Sequence, residues 1–370
     1  LLYWVMKEIE ADNMLKLQII VTGMHLSPEF GFTFQEIEKE FTIDKKIEIL
    51  LSSDTSVGTS KSMGLAQISF AESYVELQPD IVLVLGDRYE IFSAVLSAMV
   101  MNIPIAHLSG GEVTSGAIDD AIRHAITKMS HLHFVATDEY KKRVIQLGEN
   151  ADYIFNFGEA GLDNLERLTL LSRDEFEKSI NFKLNEKNLL VTFHPVTLER
   201  IDENEKCFLN ILNVLGSLKH TSIIFTKTNS DSGGRLINRM IDEYVGINKS
   251  NSIAITSLGQ LRYLSALQFI DGVIGNSSSG IVEAPSFKVG TINIGNRQNG
   301  RVQAESVINS SNSKEDIEKS LKVLYSKDFI YKLKGIVNPY WKPNASLKTK
   351  EILKGICLDG LVNKKFIDIK

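Results

Sequence analysis

Residues 79–133 read PDIVLVLGDRYEIFSAVLSAMVMNIPIAHLSGGEVTSGAIDDAIRHAITKMSHLH, and the reading of this stretch decides the fold. Two short runs rich in β-branched residues, Ile81–Leu85 and Ile103–Leu108, flank the helix-like segment Ile91–Met101. That pattern predicts a β-α-β unit with a buried parallel pair of strands. Each strand ends in a polar cluster: Gly86-Asp87-Arg88 after the first, Ser109-Gly110-Gly111-Glu112 after the second, with Asp119, Asp120, Arg123 and His124 following. Open α/β sheets bind ligands at the carboxyl ends of their strands, so these acids, the arginine and the histidine are expected to share one crevice.

Working outward, the same alternation continues. Strands are expected at Leu17–Thr22, Lys46–Leu51, Phe134–Ala136 and Asp152–Phe157, with helices at Leu1–Ala11, Thr33–Glu40, Ser60–Leu77 and Asp138–Leu147. An α/β domain normally opens on a strand, so an initial strand and its loop are expected upstream of Leu1. After the polar stretch Ser172–Lys187 a second series begins. It predicts strands at Asn188–Phe193, Ser222–Thr226, Ile253–Thr256, Gly272–Gly275 and Gly290–Ile294, and helices at Glu203–Leu218, Gly234–Tyr244, Leu258–Leu267 and Gly280–Phe287. The tail carries helices at Glu315–Leu324 and Leu347–Cys357, with Pro339 and Pro343 marking a crossover. The expected domains are residues 1–165, a Rossmann-like domain; residues 166–340, a second Rossmann-like domain; and residues 341–370, a tail packing back on the first. The fold class is α/β, two doubly wound domains with an interdomain cleft, the GT-B arrangement of sugar-nucleotide enzymes.

Composition bounds the function. The 370 residues fit two domains, and 43% hydrophobic with 24% charged residues describes a globular chain. A net charge of −5 gives no global attraction to nucleic acid or to an anionic membrane, and neither partner is expected. Cys207 and Cys357 lack metal-ligand spacing and fit a reducing compartment. No apolar run reaches the roughly 20 residues that span a bilayer. A cytoplasmic protein is expected, as a homodimer or homotetramer.

Several loops could carry chemistry. Ile274-Gly275-Asn276-Ser277-Ser278-Ser279-Gly280 lies between a strand and a helix containing Glu283. Small residues let backbone approach a phosphate, hydroxyls donate to its oxygens, and Glu283 could accept from ribose hydroxyls. The plain alternative is a helix cap. Arg297, in Gly295-Asn296-Arg297-Gln298, brings a cation to the same rim. His194 follows another strand, where packing competes with a site role, and Asn229 and Asp231 sit at the next strand end, where a turn is the plainer reading. In the first half Asp87, Glu112, Asp119 and Asp120 are the acid and base candidates, because crowded carboxyl groups have their pKa values pushed upward and apart. Taken singly, Asp87 could pair with Arg88, and Asp120 with His124. His131 and His133 have no third ligand, so no metal is expected; without a GxGxxG motif, no nicotinamide cofactor is expected either.

In this order and spacing, GDR, HLSGGE, IDDAIRHAITKMSHLHF, FHPVT, IGNSSSGIVEAP and NIGNRQNGR resemble the hydrolysing UDP-N-acetylglucosamine 2-epimerases, from Val21 to Arg301. The resemblance implies that Ser277 and Ser278 bind the diphosphate, Glu283 the ribose, and Arg88 and Arg297 the pyrophosphate side. Asn229 and His194 would line the same cleft, with the backbone of Ser257 and Leu258 against the uracil. Asp87 and Asp119 match carboxylates regarded as catalytic in the family; Glu112 and His194 complete the expected catalytic set. Two departures stand out. The resemblance implies that the family's opening strand and GTR loop would fall before Leu1, and Ser109 occupies a position where relatives carry an acid ahead of Gly-Gly; Glu112, three residues on, is the candidate replacement.

The implied reaction has two stages. A base removes the C2 proton as UDP leaves C1, giving 2-acetamidoglucal; water then adds with protonation of the opposite face of C2, releasing N-acetylmannosamine. The substrate expected is UDP-N-acetylglucosamine, with a UDP-2,4-diacetamido-trideoxy sugar as the alternative, in sialic- or legionaminic-acid synthesis. No cofactor is required. Competing readings are a non-hydrolysing epimerase, a retaining glycosyltransferase and a non-catalytic nucleotide-sugar sensor.

Overall fold

The computed structural model describes residues 1–368 other than 52, 54, 116, 197, 198 and 229–232. The chain divides into two compact units. The first comprises residues 1–113, 118–167 and 340 onward; the second comprises residues 114–117 and 168–339.

The first unit opens with α1 (Tyr3–Glu10), β1 (Ile20–Thr22), α2 (Phe34–Glu38), β2 (Lys45–Ile47) and α3 (Ser56–Leu77). Then come β3 (Val82–Leu85), α4 (Tyr89–Val100), β4 (Ile105–Leu108), α5 (Ile118–Met129), β5 (Leu132–Val135), α6 (Asp138–Gln146), β6 (Ile154–Asn156) and α7 (Asn164–Arg167). β1 and β2 form a parallel pair, and β3-β4-β5-β6 a four-stranded parallel sheet in sequence order. The deciding β-α-β unit is therefore present, with Val82 opposite Ile105. β4 and β5 are buried throughout, as a parallel sheet covered on both faces requires. α4 is mainly core: Tyr89, Ala94, Val95 and Ala98 are buried, and only its last residues, Met99 and Val100, are exposed. The expected strand at Leu17–Thr22 shortens to three residues.

The second unit starts with α8 (Arg173–Ile180) and continues through β7 (Lys187–Thr192), α9 (Ile201–Leu215), β8 (Thr221–Thr226), α10 (Gly234–Ile247), β9 (Ser252–Ile255) and α11 (Gly259–Ala266). β10 (Gly272–Gly275), α12 (Ser279–Val282), β11 (Gly290–Ile294), β12 (Val307–Ser310), α13 (Lys314–Leu324) and α14 (Lys327–Leu333) complete it. Its six strands are parallel in the order β12-β11-β10-β7-β8-β9, so chain direction across the sheet reverses between β7 and β10. Period-two burial places helices on both faces. Leu189 and Val191 of β7 join the cluster containing Phe208 and Ile241, whereas Leu190 joins Phe176 and Leu264. Each such fully buried aliphatic side chain contributes roughly 2 kcal/mol.

Two elements differ from expectation for local reasons. The polar stretch Ser172–Lys187, for which no element was expected, holds α8, whose Ser172 and Glu175 form a capping box. The expected Gly280–Phe287 helix is one turn of α12 followed by a 3-10 turn, Ala284–Phe287, because Pro285 has no N–H to continue an α-helix. The final segment returns to the first unit as α15 (Ala345–Gly355), whose Leu353 packs with Val5 and Leu132. Among the described residues no helix is long and apolar enough to cross a membrane.

Candidate functional site

In the first unit the chain leaves β3 through Gly86, at φ 80, a backbone conformation open to glycine. His107 of β4, fully buried, meets the Gly86 carbonyl at 2.8 Å and the Thr127 hydroxyl of α5 at 3.2 Å. Burial pushes its pKa down to about 3, so the ring is neutral at pH 7. A carbonyl only accepts; Nε2 therefore carries the proton, and Nδ1 accepts from Thr127. One imidazole thus ties the loop bearing Asp87 to the helix bearing Asp119.

Asp87 forms an ion pair with Arg123 of α5, which is 3% exposed. The alternative pairing with Arg88 is not made. Arg88 stands at the N-cap of α4 and binds Glu90 of the first turn through two hydrogen bonds, of 3.2 and 3.3 Å. Asp119 is buried on the first turn of α5, four residues before Arg123 and so on the same face. Asp120 and His124 do pair, at 3.7 Å.

At the end of β4, Ser109 takes φ 61 and its hydroxyl donates to Glu159 Oε2 at 2.9 Å. Gly111 follows at φ 76, where a Cβ would lie 2.6 Å from the Tyr140 carbonyl oxygen, and Arg143 donates to the Gly111 carbonyl. Glu112 and Glu159 are both buried. Burial, then the charge of Glu112, raises the Glu159 pKa to about 7, against the opposing hydrogen bond from Ser109. A carboxyl group so placed can give or take a proton near neutral pH.

In the second unit the reversal between β7 and β10 brings two loops side by side, the place where doubly wound sheets bind nucleotides. Gly275 takes φ 137, and a Cβ there would fall 1.9 Å from the Thr192 carbonyl oxygen, so only glycine fits. Asn276, 1% exposed, then clasps the neighbouring loop. Its Oδ1 accepts from the His194 amide and its Nδ2 donates to the His194 carbonyl, both at 2.7 Å. Gln298 and Arg297 donate to the Asn276 carbonyl at 2.7 and 3.2 Å. Tyr263 donates to Ser279 at 2.6 Å, and Ser279 lies 3.1 Å from the Ser277 hydroxyl.

These loops border a pocket of about 280 Å³ lined in part by His194, Lys227, Ser257, Leu258, Tyr263 and Ser277. Arg262 fixes the Ser257–Leu258 turn by donating to both carbonyls, at 3.1 and 2.7 Å. Lys227 pairs with Asp242 at 2.8 Å. The pocket presents the hydroxyls of Thr192, Thr226, Ser257, Tyr263 and Ser277 and the Lys227 ammonium, groups that suit a phosphorylated ligand.

The structure thus gathers His194, Ser257, Leu258 and Ser277 around one pocket, with Ser278 at the N-cap of α12, Glu283 between α12 and the 3-10 turn, and Arg297 on the Asn276 carbonyl. Asp87, Arg88, Glu112 and Asp119 stand at strand ends and helix starts of the first unit. Asn229 and Asp231 lie outside the described residues. Read from spacing, Asn276 is a phosphate-loop or capping residue; its side chain instead joins two loops. Sequence reasoning missed Glu159, Glu90, Thr192, Thr226 and Tyr263. Glu159, Thr192 and Thr226 stand at or just past strand ends, so the strand-end rule applied to every strand would have found them. Among the described residues no cluster of three or more His, Cys, Asp or Glu could hold a metal ion.

A family model described as UDP-N-acetylglucosamine 2-epimerase matches residues 7–354. The chain is 45% identical to the GDP/UDP-N,N'-diacetylbacillosamine 2-epimerase (hydrolyzing) of Campylobacter jejuni, over 98% of this chain and 94% of the relative. It is 35% identical to the UDP-N,N'-diacetylbacillosamine 2-epimerase (hydrolyzing) of Legionella pneumophila, over 98% of this chain and 94% of the relative. The crystal structure of UDP-GlcNAc 2-epimerase from Neisseria meningitidis bound to UDP-GlcNAc superposes with a TM-score of 0.79 at 21% identity, covering 95% of each chain. The fold is therefore GT-B-type, built from two Rossmann-like units, as the sequence led us to expect. With a family model matched along nearly its whole length and close relatives that are themselves 2-epimerases, the chain belongs to the UDP-N-acetylglucosamine 2-epimerase family.

Proposed function

We propose that this chain is a hydrolysing 2-epimerase whose substrate is a UDP-2,4-diacetamido-2,4,6-trideoxy sugar, converted to UDP and the free sugar inverted at C2. The observation that carries the choice of sugar is the 45% identity, over 98% of the chain, to a relative named for hydrolysis of the diacetylbacillosamine nucleotide. UDP-N-acetylglucosamine, which differs at C4 and C6, becomes the competing substrate. The free thiols Cys207 and Cys357 fit a reducing, cytoplasmic setting.

The roles divide between the units. In the second, Ser277, Ser278 and Arg297 hold the diphosphate, Glu283 takes the ribose hydroxyls, the Ser257–Leu258 backbone meets the base, and His194 and Asn229 contact the phosphate or sugar. In the first, Asp87, Glu112 and Asp119 handle protons and Arg88 adds positive charge for the leaving group. The C2 proton is weakly acidic, so stabilising the departing diphosphate carries much of the barrier reduction. Acid–base groups add roughly 100- to 10,000-fold.

The test compares kcat/KM for the diacetamido substrate and for UDP-N-acetylglucosamine. A pocket shaped to a 4-acetamido and a 6-methyl group should prefer the first by about 10- to 200-fold. Equal or reversed efficiency would overturn the choice of sugar and leave the hydrolysing reaction standing.

A further inference from the structure

We propose that Glu159 works with Glu112 as a proton-holding pair in the hydration half of the reaction, the two carboxyl groups sharing one proton and Ser109 fixing the Glu159 end. This rests on the hydrolysing-epimerase reading above. The argument begins with placement. Glu112 follows β4 and Glu159 follows β6, in the same unit and at the same carboxyl ends of one parallel sheet. Their exposures are 4% and 7%, so neither charge is well solvated. Two buried carboxylates repel, and holding one proton between them removes that cost.

Ser109 supplies an independent sign. It is a non-glycine residue at φ 61, a conformation L-residues rarely adopt, and its hydroxyl donates to Glu159 at 2.9 Å. The backbone of Glu159 is fixed as well, its amide donating to the Tyr340 carbonyl at 2.8 Å. Glu112, the Ser109 hydroxyl and the Gly161 amide act on the Glu159 carboxyl.

The chemistry balances. In the elimination, a carboxylate takes the C2 proton, the C–H electrons form the C1–C2 double bond, and the C1–O bond breaks with its electrons leaving on UDP. In the hydration, the double bond takes the shared proton at C2, leaving positive charge at C1. Water attacks C1 and gives one proton back to the pair, which ends as it began. The proton taken at the first step returns to solvent. No other reactant is needed.

The experiment follows UDP release against pH for the wild type and for Glu159→Gln, Glu159→Asp and Ser109→Ala, with UDP affinity measured by calorimetry. Wild-type UDP release with a free sugar as co-product upholds the reading of function on which this depends; its absence sinks that reading, whatever the variants do. Given an active wild type, Glu159→Gln should lower kcat by about 100-fold or more while UDP affinity stays within about threefold, and Glu159→Asp should restore part of the rate. Ser109→Ala removes a donor to the carboxylate form, which raises the Glu159 pKa, so the alkaline limb of the profile should move to higher pH. A Glu159→Gln variant within about threefold of wild-type kcat overturns the proposal. Should that variant not fold, the Ser109→Ala profile decides: a moved limb supports the pair and an unmoved limb overturns it.

Discussion

The side-chain amide of Asn276 uses both of its ends on one partner, accepting from the His194 amide and donating to its carbonyl. Exchange for the isosteric carboxylate turns the donor into a second acceptor facing that carbonyl. Asn276→Asp should therefore cost about 1–3 kcal/mol of stability, read by urea unfolding, and should weaken UDP binding by about tenfold or more. Unchanged affinity would mean that the two loops hold their positions without the clasp. Asn276 also marks how far residues could be read from sequence. Its place next to a phosphate-type loop was legible, because Gly-Asn-Ser-Ser-Ser between a strand and a helix is a local signal. Its partner was not, because His194 lies 82 residues away and a contact across the sheet leaves no local trace. Ser109 was visible as a departure from the family pattern, and its bond to Glu159, 50 residues on, was hidden for the same reason.

Elements were legible wherever periodicity ran long enough. The β-α-β core, α9 and α10 carry the expected apolar faces, whereas β12 is four residues long with only Val307 and Ile308 apolar, too short to declare itself. The start of α15 shows what propensity cannot reveal. Its N-cap, Asn344, makes no side-chain cap; the carboxylate of Asp163 accepts from the Ala345 and Ser346 amides at 3.1 and 2.8 Å. Asp163→Ala should cost about 1–2 kcal/mol and lower hydrogen-exchange protection across 345–355 while leaving α9 unchanged. His107 joins β4, α5 and the Gly86 turn, and its pKa falls from 6.5 in the unfolded chain to about 3 on burial. A depressed folded-state pKa means that its contribution is complete above pH 6.5 and is lost as the pH falls towards 3. Stability to urea should therefore decline between pH 6.5 and 4.5, and His107→Gln should flatten that slope.

At the scale of the molecule, the reversal of strand order between β7 and β10 accounts for where the loops proposed to bind the nucleotide lie, and the strand ends of the first unit account for where its carboxylates lie. The two-unit α/β fold could be read from the alternation of strands and helices along the chain; the strand order that sets the reversal could not. The choice between sugars could not, since a C4 substituent is recognised by a few contacts scattered through the chain. The central claim, hydrolysis coupled to inversion at C2, is tested most directly by product analysis in deuterated water with the UDP-diacetamido sugar as substrate. The account predicts UDP and a free sugar of inverted C2 configuration carrying one deuterium at C2. A C2-inverted sugar still joined to UDP, or a free sugar without deuterium at C2, would contradict it.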